Sequence, residues 1–333
     1  MTTKTISLHS VIKLVFVIIL AHLLLTACKK DSTSPDDQLN VIDWEGNYPS
    51  VNTAYQDSIL FTSDRYIGTH LSPSIYISSV AGTGIRALTN KYFSINPSWS
   101  PRRWKILYTA CTDFSSDILK SSLFVMNADG TNQKRITNAG EQVTSKAAWS
   151  PDGNTIAYIE NDTTYQYSRG RIKFINPDGK NPRVLTDWIT SLTTVTWSPG
   201  SNALVFDGLS KDGQQRIFRI NADGTNFAPL NLGEVCINPS ISPDGKLLAF
   251  SKIFNGFIQL FVHTFSTQET KRITKEDRNN SSPSWSPDSK YIIYSSSTIG
   301  GKSSAIKKIK YDGTEDKFIT DDTKCDYNPA WYN

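Results

Sequence analysis

The sequence predicts an all-β protein built as a six-bladed β-propeller. A Trp-Ser-Pro-type unit returns six times along the chain at nearly constant spacing. Each interval holds several β-branched and aromatic runs separated by turn residues, which is the pattern of short strands joined by hairpins. No segment beyond the N-terminal thirty residues shows a long apolar period of 3.6 residues. Repeats of about 40–50 residues with several strands each are typical of propeller blades.

The six units can be aligned at one equivalent position, which we call the repeat position. These positions are Trp99, Trp149, Trp197, Ile241, Trp285 and Trp331. The intervals between them are 50, 48, 44, 44 and 46 residues. A large ring at a fixed place in every blade is expected to pack between neighbouring sheets. We therefore interpret the tryptophans as core residues rather than as an aromatic cage for a ligand.

Each unit divides into four predicted strands. The Trp strand ends at a Ser-Pro-Asp-Gly turn such as residues 150–153, where Pro fixes φ and Gly accepts a left-handed conformation. A second strand (residues 155–158), a variable loop and a third strand (residues 172–175) follow. An Asp-Gly pair such as residues 178–179 then turns the chain into a short fourth strand. We interpret these Asp-Gly pairs as turns rather than as metal ligands.

The two ends of the array complete each other. Residues 58–90 supply strands two to four of a blade without a Trp strand, and residues 328–332 form a Trp strand with no partners after it. Joining the two pieces makes one blade and closes the ring, so that no open sheet edge remains at the seam. The predicted propeller covers residues 55–333.

The N-terminus predicts an exported protein. Lys4 and Lys13 precede an apolar run over residues 14–25. Twelve residues at about 1.5 Å per residue cover roughly 18 Å, well short of a membrane core of about 30 Å. The run is therefore interpreted as the apolar region of a signal peptide rather than as a spanning helix.

The cysteine that follows this run is the predicted lipid attachment site. Residues 25–28, Leu-Thr-Ala-Cys, resemble the bacterial lipobox, which implies a signal peptide over residues 1–27 and acylation of Cys28. Residues 28–54 are predicted to be a flexible tether. Residues 28–31 are also similar to the starts of Bacteroidota lipoproteins. This resemblance implies an anchor in the outer membrane, with the domain facing the periplasm or the cell surface.

Composition excludes some functions. The chain of 333 residues has a formal charge of +4, of which Lys4 and Lys13 would leave with the signal peptide. The remaining +2 is too small for a nucleic-acid-binding protein. Apart from Cys28, the cysteines are Cys111, Cys236 and Cys325, without a Cys-x-x-Cys pair, so we expect buried or half-buried thiols rather than a zinc site.

Catalytic residues are also sparse. The predicted mature chain has two histidines, His70 and His263, which we assign to the first and fifth blades. No Gly-x-Ser-x-Gly motif is present. The sequence therefore offers few residues for a Ser-His-Asp triad or for a metal site with several histidines. The sequence predicts no catalytic residue, no metal and no cofactor.

Residues 148–158 and 123–131 carry a family resemblance. They resemble the TolB-type β-propeller (PD40) repeat, and the resemblance extends over roughly residues 55–333. It implies a scaffold for interactions at the cell envelope. TolB itself has an α/β domain before the propeller and is soluble in the periplasm, whereas here we expect no such domain and a lipid anchor. Prolyl oligopeptidases and oligogalacturonate lyases have related propellers. The oligopeptidases also carry a hydrolase domain. Resemblance to the lyases implies a metal-binding histidine cluster, which two histidines cannot provide.

The predicted binding residues lie in the variable loops between second and third strands. In propellers these loops share a face with the loops between blades, and recognition usually sits on such irregular segments. The candidates are Phe114, Tyr165, Tyr167, Asp207, Lys211 and Phe254. The first hypothesis is a non-catalytic envelope lipoprotein that binds a protein, peptide or glycan. The alternative is a propeller enzyme acting on oligosaccharides or peptides in the central funnel.

Overall fold

The computed structural model describes residues 51–65, 73–90, 93–113, 120–138, 141–143, 145–162, 169–233 and 235–332. A short 3-10 helix, Thr53–Tyr55, precedes the first strand, and the rest of the regular structure in these ranges is β. The prediction of an all-β chain is confirmed for these residues. No helix among them is long and apolar enough to cross a membrane. The predicted signal peptide, Cys28 and most of the tether lie outside the described residues.

The described strands form six antiparallel sheets, as the repeat predicts. Blade 1 contains β25 (Asp326–Trp331), β1 (Ser58–Ser63), β2 (Ser74–Ser79) and β3 (Arg86–Ala87). Blade 2 contains β4 (Phe93–Trp99), β5 (Lys105–Asp113), β6 (Lys120–Asn127) and β7 (Lys134–Arg135). Blade 3 contains β8 (Ala148–Trp149), β9 (Ile156–Asp162), β10 (Arg169–Ile175) and β11 (Arg183–Val184), and β12 (Ile189–Thr190) also pairs with β10.

The remaining three sheets repeat the same order. Blade 4 contains β13 (Val195–Trp197), β14 (Ala203–Leu209), β15 (Gln215–Asn221) and β16 (Ala228–Pro229). Blade 5 contains β17 (Cys236–Ile241), β18 (Leu247–Phe254), β19 (Phe257–Thr264) and β20 (Glu269–Arg272). Blade 6 contains β21 (Asn279–Trp285), β22 (Tyr291–Ser297), β23 (Ser304–Lys310) and β24 (Lys317–Phe318). The Trp strand is the innermost strand of its sheet in every blade.

The seam closes as predicted. The C-terminal strand β25 pairs with β1, with Ile59 opposite Trp331 and Leu60 opposite Ala330. At the other end of this pair, the Arg65 side chain donates to both carboxylate oxygens of Asp326, at 3.3 and 2.5 Å. Ser63 Oγ donates to the same carboxylate at 2.5 Å. The two ends of the array are thus joined by a ladder and by a buried ion pair.

The tryptophans are core residues, as expected. The residues at the repeat position are between 0% and 9% exposed. Trp285 Nε1 donates to the Ser240 carbonyl at 2.8 Å, and Trp197 Nε1 donates to the Ala148 carbonyl at 3.1 Å. Each of these indoles therefore contacts the innermost strand of the preceding blade. The interpretation as packing between sheets is confirmed.

The Asp-Gly pairs are hairpin turns between third and fourth strands. Asp129 Oδ1 accepts from the Thr131 amide at 2.9 Å, and Gly130 has φ +95°. A Cβ at Gly130 would lie 2.9 Å from the Leu88 carbonyl of blade 1. The turn thus needs glycine both for its left-handed backbone and for its approach to the neighbouring blade. The cysteines also follow expectation, since Cys111, Cys236 and Cys325 form no disulfide with one another and are buried or partly buried.

Candidate binding site

The second-to-third-strand loops share one face with the loops between blades. The Gln215 side chain at the start of β15 donates to the Ser191 carbonyl at 3.1 Å. The Asn161 amide near the end of β9 donates to the Gln142 carbonyl at 2.8 Å. Both acceptors precede an innermost strand. We call this face the loop face, and the Asp-Gly turns lie on the opposite side of the propeller.

Half of the predicted contact residues can be placed. Phe114, Tyr165 and Tyr167 lie outside the described residues. Lys211 is exposed in the hairpin between β14 and β15, on the loop face of blade 4. Phe254 ends β18 in blade 5 and is 39% exposed. Its ring lies under the Arg272 guanidinium, whose carbon is 4.2 Å from the ring centroid.

Asp207 differs from its predicted place in a loop. It lies within β14 and is fully buried. Its carboxylate accepts from the Thr193 and Thr194 amides at 2.9 and 2.8 Å, and from the Asn238 amide of blade 5 at 2.9 Å. Burial raises the pKa of this carboxyl, while these hydrogen bonds act in the opposite direction. Asp207 links two blades, and its side chain is not presented to a ligand from solvent.

The innermost strands share a backbone feature that brings polar side chains to the axis. In four blades the residue three positions before the repeat position has a left-handed backbone and precedes a proline. These residues are Asn96, Asn238, Ser282 and Asn328, with φ between +50° and +57°. The register of the innermost ladder shifts at each of them, as in a β-bulge. Asparagine tolerates this conformation better than most residues.

Side chains from these positions meet around the axis. We call the six equivalent residues the polar ring: Asn96, Lys146, Thr194, Asn238, Ser282 and Asn328. Ser282 Oγ donates to Asn328 Oδ1 at 3.0 Å, and Asn328 Nδ2 donates to Asn96 Oδ1 at 2.6 Å. Asn238 Nδ2 donates to Thr194 Oγ1 at 3.1 Å. Hydrogen bonds thus connect blades 6, 1 and 2 on one side and blades 4 and 5 on another.

Lys146 is the cation of the polar ring. Its backbone forms an isolated parallel bridge with Thr194 of blade 4. Its Nζ lies 3.5 Å from the Pro329 carbonyl oxygen of blade 1, so the side chain reaches from blade 3 to the innermost strand two blades away. Lys146 keeps part of its surface accessible although protein surrounds the side chain. Burial lowers the pKa of its amine to about 8.

The repeat contains a signal for this site that the loop-based prediction missed. Asn-Pro or Ser-Pro stands three residues before the repeat position in four blades, and Lys146 and Thr194 occupy the same position in blades 3 and 4. Alignment of the units therefore places six polar side chains at one level of the propeller. Which of these side chains contact one another across the axis depends on side-chain conformation, which the repeat does not specify.

The described residues contain no group of three or more His, Cys, Asp and Glu side chains placed to hold a metal ion. His263 lies in β19 of blade 5, is 5% exposed, and its Nδ1 is 2.9 Å from Thr270 Oγ1. It is a buried strand residue of the fifth blade, to which its place in the sequence assigns it. What the described geometry offers at the axis is a ring of amides and hydroxyls with one amine.

Comparison with known proteins identifies the family. The family model described as the TolB beta propeller domain, PD40, matches residues 105–332, more than half of the chain. The chain belongs to the TolB-type β-propeller family. A solved TolB from Acinetobacter baumannii has the same fold, with a TM-score of 0.69 at 16% identity. That likeness covers 85% of this chain and 68% of that one.

Curated relatives match over shorter stretches. The TolB homolog of Chlorobium luteolum is 29% identical over 146 residues, which is 43% of this chain and 31% of the relative. A Bacillus subtilis protein named as the uncharacterized peptidase YuxL is 25% identical over 159 residues, 47% of this chain and 22% of the relative. The chain therefore spans less than a third of the length of these two relatives.

Proposed function

We propose that this protein is a non-catalytic lipoprotein of the bacterial cell envelope whose propeller binds a protein partner at its loop face. The observation that carries the proposal is the polar ring, where hydrogen-bonding side chains and one amine meet at the axis. Membership of the TolB-type family supports an interaction scaffold. A peptide or glycan ligand would use the same face.

The enzyme alternative draws on the relative named as a peptidase, but that protein is more than four times as long as the stretch it shares with this chain. Peptide hydrolysis needs a nucleophile with a base or a metal-bound water. The described residues near the axis supply amides, hydroxyls and the Lys146 amine. Binding is therefore the function that these side chains support best.

The anchor is proposed to be Cys28. Acyl chains contribute about 0.8 kcal/mol per buried CH₂ group, so several chains on one cysteine would hold the domain at a bilayer. We expect the wild type in the membrane fraction and Cys28→Ala in the soluble fraction. Cys325→Ala, which changes a partly buried thiol of the propeller, is the matched control and should stay with the membrane. Membrane association of Cys28→Ala equal to wild type would contradict the anchor.

Partner binding can be tested with two matched pairs of variants. Lys211→Glu and Phe254→Ala change exposed side chains of the loop face. Lys180→Glu and Phe227→Ala make the same changes at exposed residues of the opposite face. In affinity capture from envelope extracts followed by mass spectrometry, the first pair should lose a partner that the second pair retains. Equal loss in both pairs, or capture unchanged by all four, would refute a binding site on the loop face.

A further inference from the structure

We propose that the polar ring is a receptor for a single carboxylate group, which the Lys146 ammonium binds at the propeller axis. That the carboxylate belongs to a protein partner, as an acidic side chain or as the chain end, rests on the proposed function. Binding of a small carboxylate does not, because it requires only the geometry of the ring.

The first support is the lack of a carboxylate partner for Lys146. Among the described residues, no ion pair involves this amine, and its one hydrogen-bonding contact is the long 3.5 Å approach to the Pro329 carbonyl. Burial is the sole cause of its lowered pKa, with no charged neighbour contributing. An ammonium partly removed from water without a counter-charge is costly. Binding an anion would relieve that cost.

The second support is the charge content of the surrounding strands. In the described innermost strands, Asp326 is the one carboxylate, and it is buried against Arg65 and Ser63. Glu141, which lies before β8, accepts from Lys173 at 2.5 Å and from the Tyr158 hydroxyl at 3.0 Å. Neither carboxylate is therefore free to neutralise Lys146.

The remaining titratable groups of these strands are Tyr327 in β25 and Cys236 in β17. Burial raises the pKa of the Cys236 thiol to about 11, so it is neutral at pH 7 to 9. Within the polar ring, Lys146 is the one titratable side chain, and its pKa is about 8. Affinity for an anion should fall as the pH rises through that value.

The third support is the match between the ring and the proposed ligand. One amine supplies one positive charge, and the neighbouring amides and hydroxyls can orient an anion without adding charge. A monoanion such as a carboxylate leaves no excess charge at the axis, whereas a phosphate dianion would leave one. A divalent cation would be repelled by the ammonium.

The alternative is a structural role, in which the Lys146 side chain fills the axis as a plug. Its ammonium would then interact with nearby carbonyl and amide oxygens of the propeller. The two interpretations differ in one observable. If Lys146 only fills the axis, added carboxylate should leave the pKa of its amine unchanged. If the ring binds a carboxylate, the Lys146 amine should keep its proton to a higher pH.

The test follows the Lys146 amine by NMR. The lysines of the purified full-length protein are labelled by reductive ¹³C-methylation, and the Lys146 signal is identified by its loss in Lys146→Met. Its titration is recorded with acetate and with acetamide, the neutral analogue of the same shape. We expect acetate to raise the apparent pKa of this signal and acetamide to leave it unchanged. Acetate affinity should fall about tenfold or more between pH 7 and pH 9.5.

Three results would overturn the proposal. If acetate has no effect on the Lys146 signal, the amine fills the axis as a plug and does not bind a carboxylate. An equal effect of acetamide would show that charge is not recognised. Tighter binding of inorganic phosphate than of acetate, both measured at pH 7, would contradict the choice of a carboxylate.

Affinity capture of the partner then separates this proposal from the proposed function. Lys146→Arg keeps the charge and should retain the partner, whereas Lys146→Met should lose it. If Lys146→Met captures the partner as well as wild type does, the partner does not use the ring, and that half of the proposal is wrong. If acetate binds as expected but wild type captures no partner, the proposed function fails while the carboxylate site stands.

Discussion

Asp326 at the seam lies in an innermost strand, Lys146 of the polar ring lies two residues before one, and the two charges have opposite surroundings. Asp326 at the seam is fully buried and accepts hydrogen bonds from Arg65 and Ser63. Lys146 in the polar ring keeps some exposure, and its Nζ lies 3.5 Å from the Pro329 carbonyl oxygen, its one hydrogen-bonding contact among the described residues. The carboxylate is neutralised by Arg65, two residues after the strand with which β25 pairs, whereas the amine has no counter-charge among the described residues.

Two buried lysines of the blades, Lys307 and Lys173, resemble the seam. Lys307 in β23 is 2% exposed, and its Nζ lies 2.5 Å from Glu276 Oε1 and 2.8 Å from Asp316 Oδ2. Lys173 in β10 pairs with Glu141 at 2.5 Å in the same way. At these two positions the fold supplies a carboxylate to the buried lysine, whereas the buried Lys105 of β5 donates to Asn127 Oδ1 at 2.6 Å instead. Among the described residues, Lys146 has neither a carboxylate partner nor a short hydrogen bond, which fits the proposal that its counter-charge comes from outside the chain.

The largest expected effect is at the seam. Asp326→Ala removes the buried partner of this ion pair and leaves the Arg65 guanidinium with only the exposed Asp321 carboxylate nearby, which should lower the free energy of unfolding by about 3 kcal/mol. Asp321→Ala is the control, because its carboxylate is exposed and lies 3.8 Å from the same guanidinium; its effect should stay below about 1 kcal/mol. Urea unfolding measures both. Equal effects would show that the seam does not depend on Asp326.

A smaller loss is expected at a paired lysine of the blades. Lys307→Met leaves Asp316 and Glu276 without their cation and should cost about 2 kcal/mol, less than a fully buried pair because Glu276 stays 41% exposed. Lys310→Met, in the same strand but 34% exposed, should change stability by less than about 0.5 kcal/mol. Thermal unfolding compares the two. A neutral Lys307→Met would remove the contrast with Lys146.

Lys146→Met should act in the opposite direction. The folded pKa of about 8 lies below the unfolded value of about 10.4, so the wild type is destabilised by this amine below pH 8. Between pH 8 and pH 10.4 the unfolded state binds more protons, and wild-type stability rises with pH. The variant should be more stable by about 1–3 kcal/mol at pH 7, and this gain should shrink towards pH 10.4. Denaturant midpoints at pH 7 and pH 10 measure it; a variant less stable than wild type at pH 7 would contradict an uncompensated charge.

The smallest effect is expected on the loop face. Lys211→Ala removes an exposed side chain from a hairpin, and its effect on unfolding should be within about 0.5 kcal/mol. Its expected consequence is on partner binding alone. A loss of stability above about 1 kcal/mol would show that Lys211 belongs to the structure rather than to a contact surface.

The architecture could be predicted because the chain repeats itself. Strand order, the buried tryptophans and the closure of blade 1 by β25 all follow from spacing and residue type. Asp207 shows where this reasoning stops. A carboxylate beside a variable loop looks like a contact residue, but its donors include Asn238, which is 31 residues away and in the next blade.

The polar ring could be predicted from the sequence only in part. The repeated Asn-Pro and Ser-Pro pairs mark the bulges, and alignment places Lys146 at the same level. The carbonyl that the amine approaches belongs to Pro329, 183 residues further along the chain. Only the closed ring brings the two together, so the environment of Lys146 could not be derived from local patterns.

Site-specific photo-cross-linking tests most directly whether the loop face is the binding surface. A benzophenone amino acid replaces Lys211 on the loop face or Lys180 on the opposite face, both of which are exposed, and living cells are irradiated. A discrete cross-linked product from position 211 that is absent from position 180 is the expected result. The same product from both positions, or from position 180 alone, would contradict a partner bound at the loop face.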